Sequence, residues 1–514
     1  MKIKLSFLCL IAAITVSNAQ VDSSTRVLIN DQQWTGYEHS VISQNNDLNL
    51  LIHGPYNSGI TKMDSNFTHL RGVYYYENSP TQTSFRGLKL LQDSDSTFLV
   101  CGKHISSSTL STGILFSVDS TLETNWTYNY KPQNAAAFEW TDAALLSNGQ
   151  IFMIGKDNVQ KGYFALVDGN GGIVWGSELS GLVIPISCDQ VNDSTIAILA
   201  NKMNANTTVA STIIMTVNLT TSNIDWQIET VGGRGMELIA EQDTLYTFLE
   251  FGSPSDLRVL INVPNDQNGT MILAPMNSGS WTSGYQISKQ NNHLYLMTGS
   301  DGVYDSKITK INLNDSTFNQ GNQLMNLRAL HFTENGKDYI IGKGPVYGIK
   351  SSFNPNDHIG IIQGTSIDSI LTDQACGFWS VNGTVTTGPY TATISSISTA
   401  LSAFIVNPIT LLADTVSPGM YIGCVDATSG LNEFEEDLIE VMPNPSRGEV
   451  TVKNTSDQTI NLIVLDQLGR TVQQTQMITP NSNIHLDLIK VGSYFMVTRD
   501  QQNRTQTEKL VVIE

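Results

Sequence analysis

An apolar strand that ends in a small residue returns seven times between about Val21 and Gly364. It reads LNLLIHG, TFLVCGK, QIFMIGK, TIAILANK, TLYTFLEFG, HLYLMTGS and DYIIGKG. The marker residues are Gly54, Gly102, Gly155, Asn201, Gly252, Gly299 and Gly342, spaced 43 to 53 residues apart. A short strand that is apolar on both faces cannot cover itself, so each unit must bury its faces against its neighbours. Seven such units predict an all-β fold, a seven-bladed β-propeller over residues 20–364 with one four-stranded sheet per blade. In the third unit, Ala143–Leu146, Gln150–Ile154 and Tyr163–Val167 read as strands, and Ile173-Val174-Trp175 opens the outer one. Asn148-Gly149 and Asp168–Gly172 supply the turns. No amphipathic helix of ten residues interrupts the pattern. A strand at Arg26–Asn30 is expected to complete the first or last blade and close the ring.

The period breaks at residue 365. Residues 365–432 read as a small β-rich segment or a spacer packed on the propeller, Thr/Ser-rich over Thr384–Ile397 and apolar over Leu401–Ile409. Residues 433–439 are an acidic linker carrying Glu433, Glu435, Glu436 and Asp437. Residues 440–514 then alternate as short strands separated by turns. Pro443 and Pro445 bar a central strand at the start, Asp466–Arg470 reads as a hairpin turn, and Gly492 marks another. Val441, Val450, Val452, Leu462, Val464, Leu486, Leu488, Tyr494 and Val497 supply a core of their own, so this stretch is read as a small Ig-like β-sandwich.

Four ordered motifs in that tail resemble the type A C-terminal sorting domain of proteins exported by the Bacteroidetes type IX secretion system. They are Pro443, Asn444, Pro445, Ser446 and Gly448; Leu468, Gly469 and Arg470; Leu486, Leu488, Gly492 and Tyr494; and Lys509. The resemblance covers about the last seventh of the chain. It implies a partner, the type IX machinery, and a route through the periplasm to the outer-membrane surface or the medium. It also implies removal of the tail, followed by release or by anchoring to lipopolysaccharide. Within the repeat, Asp119 with Trp126, Asp168 with Trp175 and Asn218 with Trp226 resemble the outer strand of quinoprotein-like propeller repeats. There the favoured role is packing, with the Trp covering the gap between blades and the Asp or Asn closing a turn.

The chain's beginning agrees with export. Lys2 and Lys4 precede an apolar run from Leu5 to Val16, and Ser17-Asn18-Ala19 gives small residues for cleavage between Ala19 and Gln20. This reads as a signal peptide over residues 1–19, too short to span a membrane. The formal charge is −19, and loss of Lys2 and Lys4 takes it to −21. Such a surface repels phosphate backbones, so nucleic acid is excluded as a partner. Apolar residues at 40% argue for a packed core rather than disorder. Cys9 leaves with the leader. Cys101 and Cys188 lie in apolar strands and read as buried thiols, while Cys376 and Cys424 flank one segment and are candidates for a disulfide.

The chain lacks H-E-x-x-H, G-x-S-x-G and G-x-G-x-x-G. Its eight histidines, His39, His53, His69, His104, His293, His331, His358 and His485, do not pair at ligand spacing. Asp93-Ser94-Asp95 and Asn265–Gly269 are rich in oxygen but read as hairpin turns. No catalytic residue, cofactor or metal ligand is therefore assigned. Trp34, Tyr37, Tyr74–Tyr76, Phe138, Trp140, Phe378 and Trp379 are aromatics that stack on sugars if exposed. Asp followed by Ser or Thr recurs at Ser96, Ser120, Ser194, Thr244, Ser316, Ser369 and Thr415, and resembles the O-glycosylation motif of exported Bacteroidetes proteins; the same dipeptides also make good turns. Two functions remain. One is a non-catalytic surface module that binds glycan or protein. The other is a secreted carbohydrate-active lyase or hydrolase with its carboxylates in the propeller funnel, which clustered Asp and Glu with His or Arg there would favour.

Overall fold

A computed structural model of the chain describes residues 25–512, except 31–35, 44, 54–56, 78–83, 95, 108–109, 252–255, 274–282, 301–302, 324–325, 333–336, 344–357, 373–378, 395–396, 416–418, 423–438, 443–445, 447–448, 467–470, 488–491 and 501–504. The leader with Ala19 and Gln20, both Cys376 and Cys424, and the acidic stretch 433–438 lie outside the described residues. The chain divides into two compact units, Met1–Asp426 and Ala427–Glu514.

The described part of the first unit contains seven five-stranded antiparallel sheets, or blades, numbered here in chain order. Their inner strands are Gly36–Ile42, Ser84–Ser94, Phe138–Leu145, Val183–Asn192, Gly233–Glu241, Ser283–Gln290 and Asn326–His331. Each inner strand touches the next, and that of blade 7 touches that of blade 1. A separate apolar core fills each gap. Between blades 7 and 1 it joins Leu48 and Tyr74 to Tyr339 and Ile361. Thr25–Asn30 pairs with His358–Gly364 and supplies the fourth strand of blade 7, the closure expected of the Arg26–Asn30 strand. The helix Ile367–Thr372 follows.

The marker glycines Gly102 and Gly155 have a steric cause, while Gly54 and Gly252 lie outside the described residues. Every inner strand carries a β-bulge, at Tyr37/His39, Gly87/Lys89, Trp140/Asp142, Pro185/Ser187, Gly235/Glu237, Gly284/Gln286 and Leu327/Ala329. A bulge bends the strand and pushes its backbone toward the partner. Opposite it, a Cβ on Gly102 would lie 2.1 Å from the Arg86 carbonyl oxygen, and one on Gly155 would lie 2.4 Å from that of Glu139. Asn201 replaces the glycine in blade 4 and bonds both ends of its amide to Gly235 in blade 5, accepting from the N–H at 2.7 Å and donating to the C=O at 3.2 Å.

The aromatic signature is packing. Trp126, Trp175 and Trp226 lie against the cores between their own blade and the next. Trp175 Nε1 donates to the Leu219 carbonyl at 3.0 Å, and Tyr75 and Tyr130 make equivalent bonds to Leu122 and Gly171, also one blade on. Asp119 and Asp168 each accept two backbone N–H groups within their own turns, and so does Asn218.

The described strands of residues 365–432 lie on the propeller, and they do so as members of its sheets. Strands Trp379–Thr384, Thr386–Thr391, Thr393–Ile394, Thr399–Leu401, Phe404–Pro408, Leu411–Thr415 and Gly419–Ile422 pair in turn with the outer strands of blades 6, 5, 4, 3, 2, 1 and 7. The chain thus runs backward round the ring as a belt, giving every blade its fifth strand. Sheet twist makes this course feasible, because it turns each outer strand away from the direction of its inner one. Only Val385 separates the first two belt strands, and only Ala392 the next two. Between strands, or at a strand's first residue, the belt plants apolar anchors in the inter-blade cores: Val385, Ala392 and Ile397 between strands, Phe404 and Leu411 at strand starts.

In the second unit, Ile439–Met442, Glu449–Asn454 and Asn483–Asp487 form one sheet. Thr471–Ile478, Ile460–Asp466, Gly492–Asp500 and Thr505–Val512 form the other. They enclose a core of Val450, Val452, Leu462, Val464, Leu486 and Tyr494, with Val441 at its edge. Val497 is only half-buried; Met496 takes the core position, because the inward set of that strand is Tyr494, Met496 and Thr498. Ser446 is 1% exposed, donates to the Glu449 carbonyl at 2.7 Å and bridges to Val512 in the last strand.

Candidate functional site: the central channel

Five of the seven residues that follow the bulges bond to the inner strand of the next blade. The seven are His39, Lys89, Asp142, Ser187, Glu237, Gln286 and Ala329. Asp142 Oδ2 accepts the Cys188 N–H at 3.0 Å, and Ser187 Oγ the Leu238 N–H at 3.3 Å. Glu237 Oε2 accepts from Ile287 at 2.5 Å, and Gln286 Oε1 from Leu330 at 2.8 Å. In each case the donor directly follows the next strand's own post-bulge residue. Lys89 has no lone pair to offer and instead pairs with Asp142 Oδ1 at 2.9 Å. Ala329 has no polar side chain; across that seam Ser40 Oγ is hydrogen-bonded to His331 Nε2. A set of side-chain staples therefore joins the inner strands.

Those strands line a cavity of about 840 Å³. Its walls gather Asp189, Glu237 and Glu241 with Lys89, His39 and His331, amid Val41, Leu91 and Ile239. Burial pushes the Glu237 carboxyl up to about 8, against the pull of Lys89. Burial raises Asp189 too, although the Ala240 and Gln190 N–H groups oppose the shift. Burial lowers His331 to about 4, and with the Lys89 charge it holds His39 well below its ordinary value. For Lys89 burial works the other way from its partners, and Asp142 with Glu237 wins, raising it. Cys188 on the wall and Cys101 are buried free thiols, both pushed up by burial.

Asp142→Ala leaves Lys89 without its partner and the Cys188 N–H without its acceptor, so urea unfolding should show a loss of about 3 kcal/mol. Asp142→Asn, which keeps an acceptor, should lose less. Glu237 sets a pH slope. The unfolded carboxyl ionises near 4.5, whereas the folded one holds its proton to about 8. In that window the folded state binds more protons, so stability falls as pH rises, by up to about 1.4 kcal/mol per unit. Glu237→Gln should remove this slope, gaining on the unmodified chain between about pH 5 and pH 8.

The other singled-out residues are dispersed. Ser96, Ser194 and Thr244 sit at the turns of the inner hairpins of blades 2, 4 and 5, and Ser120 and Ser316 at outer-hairpin turns of blades 2 and 6. In a meander, turns after the first and third strands share one end of the sheet, and the cavity draws on the halves of the inner strands nearest that end. Ser369 lies in the short helix and Thr415 ends a belt strand. Ser96, Ser120, Ser194 and Thr415 are exposed, and the other three half-buried. Tyr74, Tyr75, Phe138 and Trp140 are core residues, so they offer no stacking face to a sugar; Trp34 and Phe378 lie outside the described residues. Asn265–Gly269 is a hairpin turn of blade 5, with Asp266 accepting the Asn268 N–H at 2.9 Å. Among the described residues no three His, Cys, Asp or Glu converge as a metal site. Of the sorting motifs, Ser446, Leu486, Gly492 and Tyr494 are described within strands or bridges, and Lys509 by its backbone, paired to Phe495. Pro443, Asn444, Pro445, Gly448, Leu468, Gly469, Arg470 and Leu488 lie outside the described residues.

Sequence reading missed the staples. Their signal was a polar residue followed by two mostly apolar ones, ahead of each marker strand, as in KLL, DAA and ELI.

Residues 440–513 match the family described as the secretion system C-terminal sorting domain. No curated protein matches the chain. Among solved structures, the Dos1 propeller is similar at 12% identity and a TM-score of 0.41, over 64% of this chain and 78% of that one. The polysaccharide lyase Uly1 aligns at 10% identity and 0.32, over 63% and 76%. Drosophila Plexin A in complex with Semaphorin 1b aligns at 10% and 0.32, over 85% and 86%. Likenesses at this level say nothing about activity.

Proposed function

We propose that this chain, whose residues 440–513 are a type IX secretion sorting domain, carries its ring through the periplasm to the cell surface or the medium as a non-catalytic binding module for glycan or protein. The tail is then removed, and the ring is released or held on lipopolysaccharide. The observation that carries the non-catalytic reading is the engagement of Asp142 and of the channel's Glu237 and Asp189 in closing the ring. Asp142 is held by Lys89 and the Cys188 N–H, Glu237 by the Ile287 N–H, and Asp189 by the Ala240 N–H at 2.8 Å. Each of these carboxyls thus has a part in joining neighbouring blades that accounts for its presence without catalysis.

One observation favours the enzyme instead. The channel does gather carboxyls with histidines, and Glu237 keeps its proton at neutral pH, as a general acid must. A polysaccharide turnover screen on the purified mature chain, reading reducing ends and unsaturated uronates, separates the two. We expect no turnover. Turnover abolished by Glu237→Gln in a folded variant would establish the enzyme and end the binding-module reading.

The same reading includes O-glycosylation at Ser96, Ser120, Ser194, Thr244, Ser316, Ser369 and Thr415. Glycans at Ser96, Ser194 or Thr244 would stand beside the channel mouth and bar a polymer from it. Intact-mass and peptide mass spectrometry of the exported protein should find hexose-type additions on the exposed Ser96, Ser120 and Ser194 first. An unmodified mass would exclude the modification.

A further inference from the structure

We propose that a second cleft, on the flank of blade 6 and apart from the channel, binds one uncharged pyranose residue of a glycan. The proposal deepens the binding-module reading by giving it a ligand class and a place. The cleft measures about 370 Å³, room for a single sugar ring. Four pieces of chain build it: the strand His293–Ser300 of blade 6; the outer hairpin of that blade, from Val303–Asn312 and Thr317–Gln323; the first belt strand, Trp379–Thr384; and the helix Ile367–Thr372.

The lining combines one aromatic ring with fixed polar groups. Phe318 pairs with Gly383 across the hairpin and belt, and a Cβ on Gly383 would stand 2.6 Å from the Phe318 ring. The glycine therefore lets the ring lie against the belt backbone, where it forms part of the cleft wall. Lys310 Nζ contacts both oxygens of Asp368 at 2.7 Å, joining the hairpin to the helix. Lys310 is 16% exposed in its side chain and Asp368 58%, so the acid end of the pair meets solvent while the ammonium is set into the wall. His293 stands beside them, and burial with the Lys310 charge lowers its pKa, so it is a neutral ring with one donor and one acceptor. Asn312 adds an amide.

These groups select against charge. An anion would meet Asp368, and a cation would meet Lys310. A neutral polyol satisfies both, because the ion pair offers a donor and an acceptor side by side, the spacing of vicinal hydroxyls. The apolar C–H face of a pyranose then has Phe318 to rest on. No group of this set belongs to the channel staples.

Saturation-transfer NMR and calorimetry on the full mature chain test the assignment. The probes are the methyl glycosides of glucose, mannose, galactose and N-acetylglucosamine. At least one should bind, and Phe318→Ala and Asp368→Asn should each weaken it about tenfold or more while thermal melts show a folded ring. Asp368 is exposed enough that its amide variant keeps the fold if Phe318→Ala does not. Binding that both folded variants retain would overturn the cleft but leave a glycan-binding ring. Binding of none of the four would overturn the cleft and the glycan class together, leaving the protein-binding form of the proposed function.

Discussion

A chain ended after residue 378 should fail to give a soluble ring, whereas one ended at residue 426 should fold and melt like the full mature protein. The first truncation strips the fifth strand from every blade. Each outer strand is then an unpaired edge, a template for pairing with other chains. It also withdraws Val385, Ala392, Ile397, Phe404 and Leu411 from the inter-blade cores. At roughly 1.5–3 kcal/mol for each of the larger side chains, the lost burial is of the order of a domain's whole net stability. Phe404 concentrates the effect. Its ring stacks on Trp140 at 5.6 Å and lies 5.8 Å from Phe138. A Cβ on Gly176 would come within 2.5 Å of it. Phe404→Ala alone should cost about 3 kcal/mol. Soluble yield, size-exclusion profile and urea unfolding read these outcomes. A soluble, monomeric product ending at 378 would show that the belt is dispensable.

Deleting residues 440–513 should remove the protein from the cell surface and the medium and leave it within the envelope. The deletion takes away the matched sorting domain and nothing of the ring or belt, which end at Ile422 among the described strands. The tail has its own sheets and its own core, so Ala427–Glu514 joined to a carrier with a leader should send the carrier out. Fractionation and surface proteolysis measure both. A truncated protein still found outside the cell would show that export does not depend on the tail. In the motif itself Ser446 and Tyr494 are buried, at 1% and 6%. Substitutions there act through the fold of the tail, and Ser446→Ala should lower its melting temperature.

The sequence by itself determined the repeat, its strands and turns, the closing strand at Arg26–Asn30 and the tail. Each of these is written in residues close together in the chain. A marker glycine is demanded by the bulge one strand away, Asp119 and Asp168 close turns they belong to, and the tail's alternation sets its inward face. The sequence also carried the packing role of Trp126, Trp175 and Trp226, because a large ring on an outer strand has only the next blade to cover it. Tertiary structure alone decided the belt. Its strands are two to six residues long, and each finds its partner by register with a strand 57 to 395 residues away. Thr393-Ile394 has no local pattern that names Ile228 and Glu229 as its mates. The channel staples escaped for the same reason. Asp142 and Glu237 look like ordinary strand residues until the ring closes and brings the next blade's N–H groups into reach. The cleft at Phe318 exists only where hairpin, belt and helix meet. Local chemistry fixes elements; contacts made across tens or hundreds of residues are set by closure of the whole ring, and no short window of sequence contains it.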